Sequence, residues 1–217
     1  AARDETSEAL SHFDAALSHS SFHFAADAAY QAALAVHGTD RDEMERRLTE
    51  ILARWPGSSQ AEKSLIALFR LRALDDGDPE GAKKWLDEQA EANVLGADVV
   101  VATVEDVELA VESPPDAVPG RAVAVQVLSR NLEEVGVRLH RIDGLAFLQD
   151  GGVAETLPSL DIEIIAPDRQ WTVSVPEARP FVSQKWSLPI TIDKPGIYAV
   201  TVETRDRAAR TILRVSD

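Results

Sequence analysis

The sequence contains no cysteine and no long apolar segment, and these absences exclude several classes of protein. Without Cys, the chain cannot form disulfides, use a thiolate nucleophile or bind zinc through sulfur. No apolar run approaches the ~20 residues that cross a bilayer, so we expect no membrane insertion. The first residues, Ala1–Glu5, lack the apolar segment of a signal peptide. Because the sequence begins without Met, we expect a trimmed chain from which an export signal can have been removed.

Basic residues are scarce relative to acidic ones. Among 217 residues, 37 are Asp or Glu and 22 are Lys or Arg, which gives a net charge of −15. Nucleic acids and anionic membranes attract surfaces rich in Lys and Arg, so we expect neither as a partner. The acids are spread along the whole chain, which is typical of a solvated surface rather than of an acidic tail.

The character of the sequence changes near residue 95. The first part is rich in Ala and has helical spacing, whereas the second is rich in Val and Thr, alternates in polarity and is interrupted by Pro and Gly. We therefore predict an α plus β protein of two modules. The helical domain covers 1–96, with Gly96 ending its last helix, and the β domain covers 97–217.

We predict five helices, at about 4–18, 22–37, 40–55, 59–74 and 79–92. Capping signals support them, because Asp40 with Glu43 and Ser59 with Glu62 have the spacing of capping boxes. Asp78 precedes a Pro, which is typical of an N-cap followed by the first helical residue.

The predicted helices repeat in pairs. Phe22–Gly57 is a helix, a turn, a helix and a Pro-Gly stop, and residues 58–96 follow the same plan. Helical pairs of this length are typical of tetratricopeptide (TPR) arrays, so we predict TPR-like hairpins, with a plain helical bundle as the alternative. Such arrays bury their core by stacking. We therefore expect at least one of Trp55 and Trp85 to be buried.

The second half predicts an antiparallel β-sandwich (MG/Ig-like) of seven or eight strands. The predicted strands lie at about 99–111, 121–130, 134–142, 160–166, 170–175, 185–192, 196–204 and 208–215. The segment Asp143–Ser159 is typical of a surface loop. Gly196 follows a Pro and is expected at positive φ.

Two stretches of the β half contain a distinctive set of residues. The first stretch contains Arg130, Asn131, Arg138, Arg141 and Asp143, and the second contains Leu188, Pro189, Pro195, Gly196, Tyr198, Val200, Val215, Ser216 and Asp217. Together they resemble the first macroglobulin-type (MG) domain of bacterial alpha-2-macroglobulin-like proteins. The resemblance covers about half of the chain, and helical repeats precede that domain in some large members of the family.

The resemblance implies a non-enzymatic interaction and scaffolding fragment of a protease-trapping protein. It also implies a periplasmic or extracellular location, and a protein partner or downstream domains of the same polypeptide. The thioester chemistry of the family needs a Cys, so this chain cannot form that bond. Two alternatives stay open: a stand-alone adaptor whose helical groove binds a peptide or protein, and a carbohydrate-binding sandwich with a helical spacer.

Two polar patterns have features of metal sites. His12, His19 and His23 would share one face of an unbroken helix, where histidines can bind zinc, but surface histidines explain them as well. The segment Asp75–Asp78 resembles part of a calcium loop but lacks its full ligand spacing, which favours a turn followed by an N-cap.

Aromatic, serine and glycine patterns bear on possible ligand and catalytic sites. Four aromatic residues can form a sugar platform but more often alternate into a sandwich core: Trp171, Phe181, Trp186 and Tyr198. The sequence has no G-x-S-x-G elbow, and Gly151-Gly152 does not open a phosphate loop. We therefore predict no catalytic, cofactor-binding or metal-binding residues, no cofactor and no enzymatic activity.

Overall fold

The computed structural model describes residues 10–15, 22–36, 38–143 and 165–216. The chain divides into two compact units, Ala1–Glu105 and Asp106–Asp217. In the described residues the first unit is helical and the second is built from strands, so the protein is an α plus β mixture. The division falls after Glu105 rather than near the expected 96, because residues 97–105 are helical.

The helical unit contains α1 (Phe22–Ala35), α2 (Arg41–Arg54), α3 (Ser59–Arg70), α4 (Pro79–Glu91) and α5 (Ala97–Glu105). A π-helical turn, Leu71–Asp75, continues α3, and residues 10–15 are also helical. The predicted helices at 22–37, 40–55 and 79–92 are confirmed to within two residues. The predicted helix at 59–74 is divided between α3 and the π-helical turn, and most of the one at 4–18 lies outside the described residues. None of the described helices has the length and apolar character needed to cross a membrane.

The predicted strand at 99–111 is wrong over 99–105, because α5 occupies those residues, whereas 108–111 do lie in a strand. The run Val99–Val101 has high β propensity, but Val100 and Val104 lie four residues apart on one helical face and both are buried. Tertiary packing against α4 therefore overrides the local preference. The role predicted for Gly96 is also wrong: α4 ends at Glu91, and Gly96, at φ +81°, comes immediately before α5.

Side-chain caps fix the starts of three helices. Asp40 accepts a hydrogen bond from the backbone N–H of Glu43 at 3.0 Å, and Asp78 accepts one from Gly81 at 2.9 Å, as predicted. Helix α3 is capped one residue earlier than predicted, since Ser58 rather than Ser59 accepts the N–H of Ala61.

Small and aliphatic side chains form the core of the helical unit. Residues with no exposed surface include Ala26, Ala32, Ala33, Leu48, Ile51, Leu65, Leu68 and Leu86. Trp55 is 6% exposed, which confirms that at least one of the two indoles is buried. Trp85 is half-buried, with the guanidinium of Arg72 lying 4.3 Å from its ring centroid.

The second unit contains β1 (Glu108–Glu112), β2 (Asp116–Ala117), β3 (Ala122–Arg130), β4 (Glu134–Ile142), β5 (Arg169–Ser174), β6 (Gln184–Thr191), β7 (Gly196–Glu203) and β8 (Ala208–Val215). These described strands form a sheet in the order β1-β3-β6 and a sheet in the order β2-β8-β7-β4-β5. The pairing is antiparallel except between β2 and β8, which are parallel, so the purely antiparallel prediction is wrong at that pair. Most of the predicted strand 160–166 and nearly all of the predicted loop 143–159 lie outside the described residues.

Side chains from both sheets belong to one buried cluster. Alternate residues point to it from each strand, as the period of two dictates. The shorter sheet contributes Val125, Val127, Trp186, Leu188 and Ile190, and the longer one contributes Val135, Val137, Leu139, Tyr198, Val200, Val202, Leu213 and Val215.

Candidate binding groove and framework residues

The helical unit contains a concave groove of about 360 Å³ between α1, α3 and the π-helical turn. We call it the helical groove. Its lining residues are Tyr30, Leu34, Met44, Lys63, Ile66, Ala67, Arg70, Leu71, Leu74 and Asp75. Most of them are apolar or aromatic, which is typical of a surface that buries part of a ligand.

Three large apolar side chains of the groove face solvent. Leu34 is 40% exposed, Ile66 38% and Leu74 46%, while Met44, which also lines the groove, is buried. Single exposed apolar residues are normal on a protein surface. Three that line one concavity form a patch, and apolar patches mark contact surfaces more often than single residues do.

The π-helical turn presents Leu74 and Asp75 to this groove. The backbone N–H of Asp76 donates to the carbonyl of Leu71 at 3.1 Å, five residues back instead of four. Single π turns within α-helices occur often at functional sites. This turn therefore agrees with a binding role for the groove.

Two cations stand on the α3 wall of the groove. Lys63 and Arg70 are seven residues apart, close to two helical turns, so they project from one face about 10 Å apart along the axis. The ammonium of Lys63 lies 5.7 Å from the ring centroid of Tyr30. In the part of the chain that the structure describes, neither Lys63 nor Arg70 pairs with a carboxylate.

The other bases of the helical unit are mostly paired. Those that form ion pairs are Arg41, Arg46, Arg47, Arg54, Arg72 and Lys83. At Glu43, hydrogen bonds from Arg46, supported by Arg47, lower the pKa of the carboxyl group to about 2 although partial burial opposes the shift. These residues are neighbours on α2, so the cluster stabilises that helix.

The three histidines considered as zinc ligands do not form a metal site within the described residues. His12 lies in the helical segment 10–15, whereas His19 and the side chain of His23 fall outside what the structure describes. Among the described residues, no group of three or more His, Cys, Asp or Glu side chains could hold a metal ion. At Asp75–Asp78, Asp76 pairs with Arg41 and Asp78 caps α4, as a turn followed by an N-cap requires.

The four aromatic residues considered for a sugar platform do not share one exposed face. Trp186 and Tyr198 are both less than a tenth exposed and belong to the core cluster, where the indole N–H of Trp186 donates to Ser129 Oγ at 3.0 Å. Trp171 and Phe181 are partly buried. Trp186 and Tyr198 are therefore core residues, as the alternation of the strands predicted.

Arg130 and Asn131 connect distant segments of the β unit. The side chains of both donate to the carbonyl of Asp106 at 3.1 Å. Arg130 also donates to Ser183 Oγ, and the Asn131 amide oxygen accepts the backbone N–H of Phe181 at 2.6 Å. The β3–β4 turn is thereby joined to the start of the unit and to the β5–β6 loop.

A second set of bonds holds the entry to β7. Arg141 donates to the carbonyl of Pro195 at 3.1 Å, and the Tyr198 hydroxyl donates to the carbonyl of Lys194 at 2.9 Å. Gly196 has φ +156°, which confirms the expected positive value, and a Cβ there would lie 3.1 Å from Arg141 Nε. Sequence reasoning found these residues by resemblance, whereas nothing in the sequence pattern placed Tyr30, Lys63 and Leu74 in one groove.

Comparisons with known proteins give partial similarities only. No family model matches the sequence, and no curated protein matches it. Among solved structures, native alpha-2-macroglobulin from Escherichia coli spanning domains MG0-NIE-MG1 is similar over 51% of this chain and 39% of that one, with 18% identity and a TM-score of 0.38. A Salmonella alpha-2-macroglobulin mutant is similar over 53% of this chain and 10% of that one, with 16% identity and a TM-score of 0.31.

The similar structures also include a domain of another kind. A CARDB domain from Pyrococcus furiosus is similar over 51% of this chain and 88% of that domain, with 15% identity and a TM-score of 0.30. The chain thus spans well under two thirds of either alpha-2-macroglobulin structure. Similarities of this extent do not assign it to a family.

Proposed function

We propose that this chain is a non-enzymatic interaction and scaffolding fragment of a bacterial alpha-2-macroglobulin-like protein. The observation that carries the proposal is that the residues resembling those of the MG domain stabilise the β unit. Arg130, Asn131, Arg141 and Tyr198 form hydrogen bonds between segments of the β unit. These hydrogen bonds hold the segments of the β unit in place. A rigid domain of this kind suits a protein that positions neighbouring domains. The periplasmic or extracellular location follows from the same resemblance.

The geometry of the β unit supports an MG-type β-sandwich. Two sheets share one apolar cluster, and strands β3 and β6 alternate between more buried and more exposed positions. That pattern is the one that two sheets packed face to face require. The short parallel pair β2–β8 lies at one edge of its sheet and leaves the central strands antiparallel.

The spacing of the helices supports a TPR-like array. Helices α1, α3 and α5 begin at Phe22, Ser59 and Ala97, and α2 and α4 begin at Arg41 and Pro79, so corresponding helices recur every 37 to 38 residues. Helix α5 then stands as the first helix of a third pair. This period is close to that of TPR repeats, in which each pair buries its core against the next.

A second candidate function is that of an adaptor whose helical groove binds a peptide or protein segment. The groove favours it, because exposed apolar side chains lie there beside Lys63 and Arg70, which pair with no carboxylate among the described residues. The two functions are compatible, since a scaffolding fragment can also carry a binding surface.

Two experiments test the scaffolding proposal. Reading the gene beyond the codon for Asp217 should reveal further MG-type sandwiches, and a stop codon there would contradict the proposal. Incubation with a panel of endopeptidases should give neither inhibition nor a covalent adduct on a denaturing gel, with a thioester-containing alpha-2-macroglobulin as the positive control. An adduct or stoichiometric inhibition would refute a purely scaffolding role.

A further inference from the structure

We infer that the helical groove binds an acidic amphipathic helix of a protein partner, with two carboxylates one heptad apart and apolar side chains between them. This inference rests on the interaction role proposed above and adds the chemistry of the partner. It is carried by the arrangement of charged and apolar side chains along the α3 wall of the groove.

The first step is the order of residues along that wall. Lys63, Ile66, Ala67 and Arg70 follow the spacing i, i+3, i+4 and i+7 and all line the groove. Residues with this spacing lie on one face of a helix. The wall therefore presents a cation, an apolar step and a second cation within about 10 Å.

The second step is the chemistry that complements this wall. A helix with Glu at i and i+7 and Leu at i+3 and i+4 presents the same spacing with the opposite charge. Its apolar residues would contact Leu34, Ile66 and Leu74, which are exposed in the unbound groove. Helices that dock in grooves use these four positions as anchors. The volume of about 360 Å³ suits a few side chains of one helix face.

The third step is the availability of the cations. Lys63 and Arg70 have no carboxylate partner among the described residues, although acids outnumber bases in the chain by 37 to 22. One acid, Asp75, also lines the groove, but among the described residues it forms no ion pair with either cation. As far as the described residues go, both cations are therefore left for a carboxylate from a partner.

The test uses three fluorescent 16-residue peptides in an Ala-rich background, because short helices need good helix formers. The first has Glu at i and i+7 with Leu at i+3 and i+4. The second has Gln in place of both Glu residues, and the third has the same composition with the two Glu residues moved to the opposite face. Fluorescence anisotropy with the whole chain measures Kd for each peptide.

We expect the first peptide to bind about tenfold more tightly than the other two, since each exposed ion pair contributes up to about fivefold in affinity. Raising the salt concentration from about 0.05 to 0.5 M should remove that advantage. Equal binding of the Glu and Gln peptides would overturn the requirement for acid. Binding of none of the peptides would overturn the inference, whereas the scaffolding role fails through a protease adduct instead.

Variants locate the site. Lys63→Gln and Arg70→Gln should each weaken binding of the Glu peptide two- to fivefold and leave the Gln peptide unchanged. Lys84→Gln is the matched control, because Lys84 is exposed on α4 and does not line the groove. Ile66→Ser should weaken every peptide that binds. These side chains are exposed, so circular dichroism should show an unchanged fold, and equal effects of Lys63→Gln and Lys84→Gln would place binding elsewhere.

Discussion

Replacing Asn131 by Ala is expected to lower the free energy of unfolding of the β unit by about 3 kcal/mol. Asn131 adopts a left-handed backbone conformation, with φ +58°. Its side chain donates to the Asp106 carbonyl at 3.1 Å and accepts the Phe181 N–H at 2.6 Å. Each hydrogen bond contributes about 1 kcal/mol, and the left-handed conformation costs Ala about 1 kcal/mol more than it costs Asn.

Two further substitutions at Asn131 separate these contributions. Asn131→Gly removes the same hydrogen bonds but tolerates positive φ, so we expect a loss of about 2 kcal/mol. Asn131→Asp keeps an acceptor for the Phe181 N–H and loses the donor to Asp106. Its loss should therefore be smaller than that of Asn131→Ala, at about 1 to 2 kcal/mol.

Asn93 provides the control. It also lies at positive φ, +56°, but its side chain bonds only weakly to the nearby carbonyl of Glu91, at 3.3 Å. We expect Asn93→Ala to cost about 1 kcal/mol. Urea unfolding followed by hydrogen exchange and mass spectrometry reports each unit separately. If Asn131→Ala destabilises the β unit no more than Asn93→Ala destabilises the helical unit, the hydrogen bonds of Asn131 do not stabilise the fold.

Three further predictions concern single side chains. Gly196→Val should lower the free energy of unfolding by about 1 to 2 kcal/mol, because the Val side chain would contact Arg141 and the backbone at positive φ would be strained. An unchanged melting midpoint would contradict this. Trp55→Ala should cost about 3 to 5 kcal/mol, and iodide should quench that indole poorly in the folded protein. The hydrogen bond from Arg46 lowers the pKa of Glu43 from 4.5 to about 2. The stability that this provides is present above pH 4.5 and is lost as the pH falls towards 2. Glu43→Gln should lower the free energy of unfolding by about 1 kcal/mol at neutral pH, a small value because solvent screens the ion pair. Urea unfolding at each pH measures this difference.

Local patterns predicted much of the β unit and most helix ends. The alternation in 121–130 and 134–142 matches β3 and β4 because one face of each strand is buried, so polarity follows the backbone period. Asp40 and Asp78 were recognisable as caps because an Asp side chain satisfies the free N–H groups of the first turn locally. In each case the physical cause lies within a few residues of the signal.

Features that depend on distant residues were missed. The Val run in α5 has strand propensity. It is helical because Val100 and Val104 are buried against neighbouring helices. The spacing of Ala97, Val100 and Val104 at i, i+3 and i+7 was the signal that could have revealed it. The groove forms because Leu34 of α1 and Leu74 of the π-helical turn line the same concavity. The sequence alone does not show which helices are adjacent, so this groove was not predicted.

Two basic side chains in each unit differ in their surroundings, and this difference suits a protein that both positions its own segments and binds a partner. In the β unit, Arg130 and Arg141 each donate a hydrogen bond to a backbone carbonyl of the same unit. In the helical unit, Lys63 and Arg70 stand beside exposed apolar groups with no carboxylate partner in the described chain. A donor bonded within the fold fixes geometry, whereas an unpaired cation beside an apolar surface gains most from a partner that supplies both a carboxylate and apolar contact. Loss of Arg130 should therefore affect stability, and loss of Arg70 should affect binding.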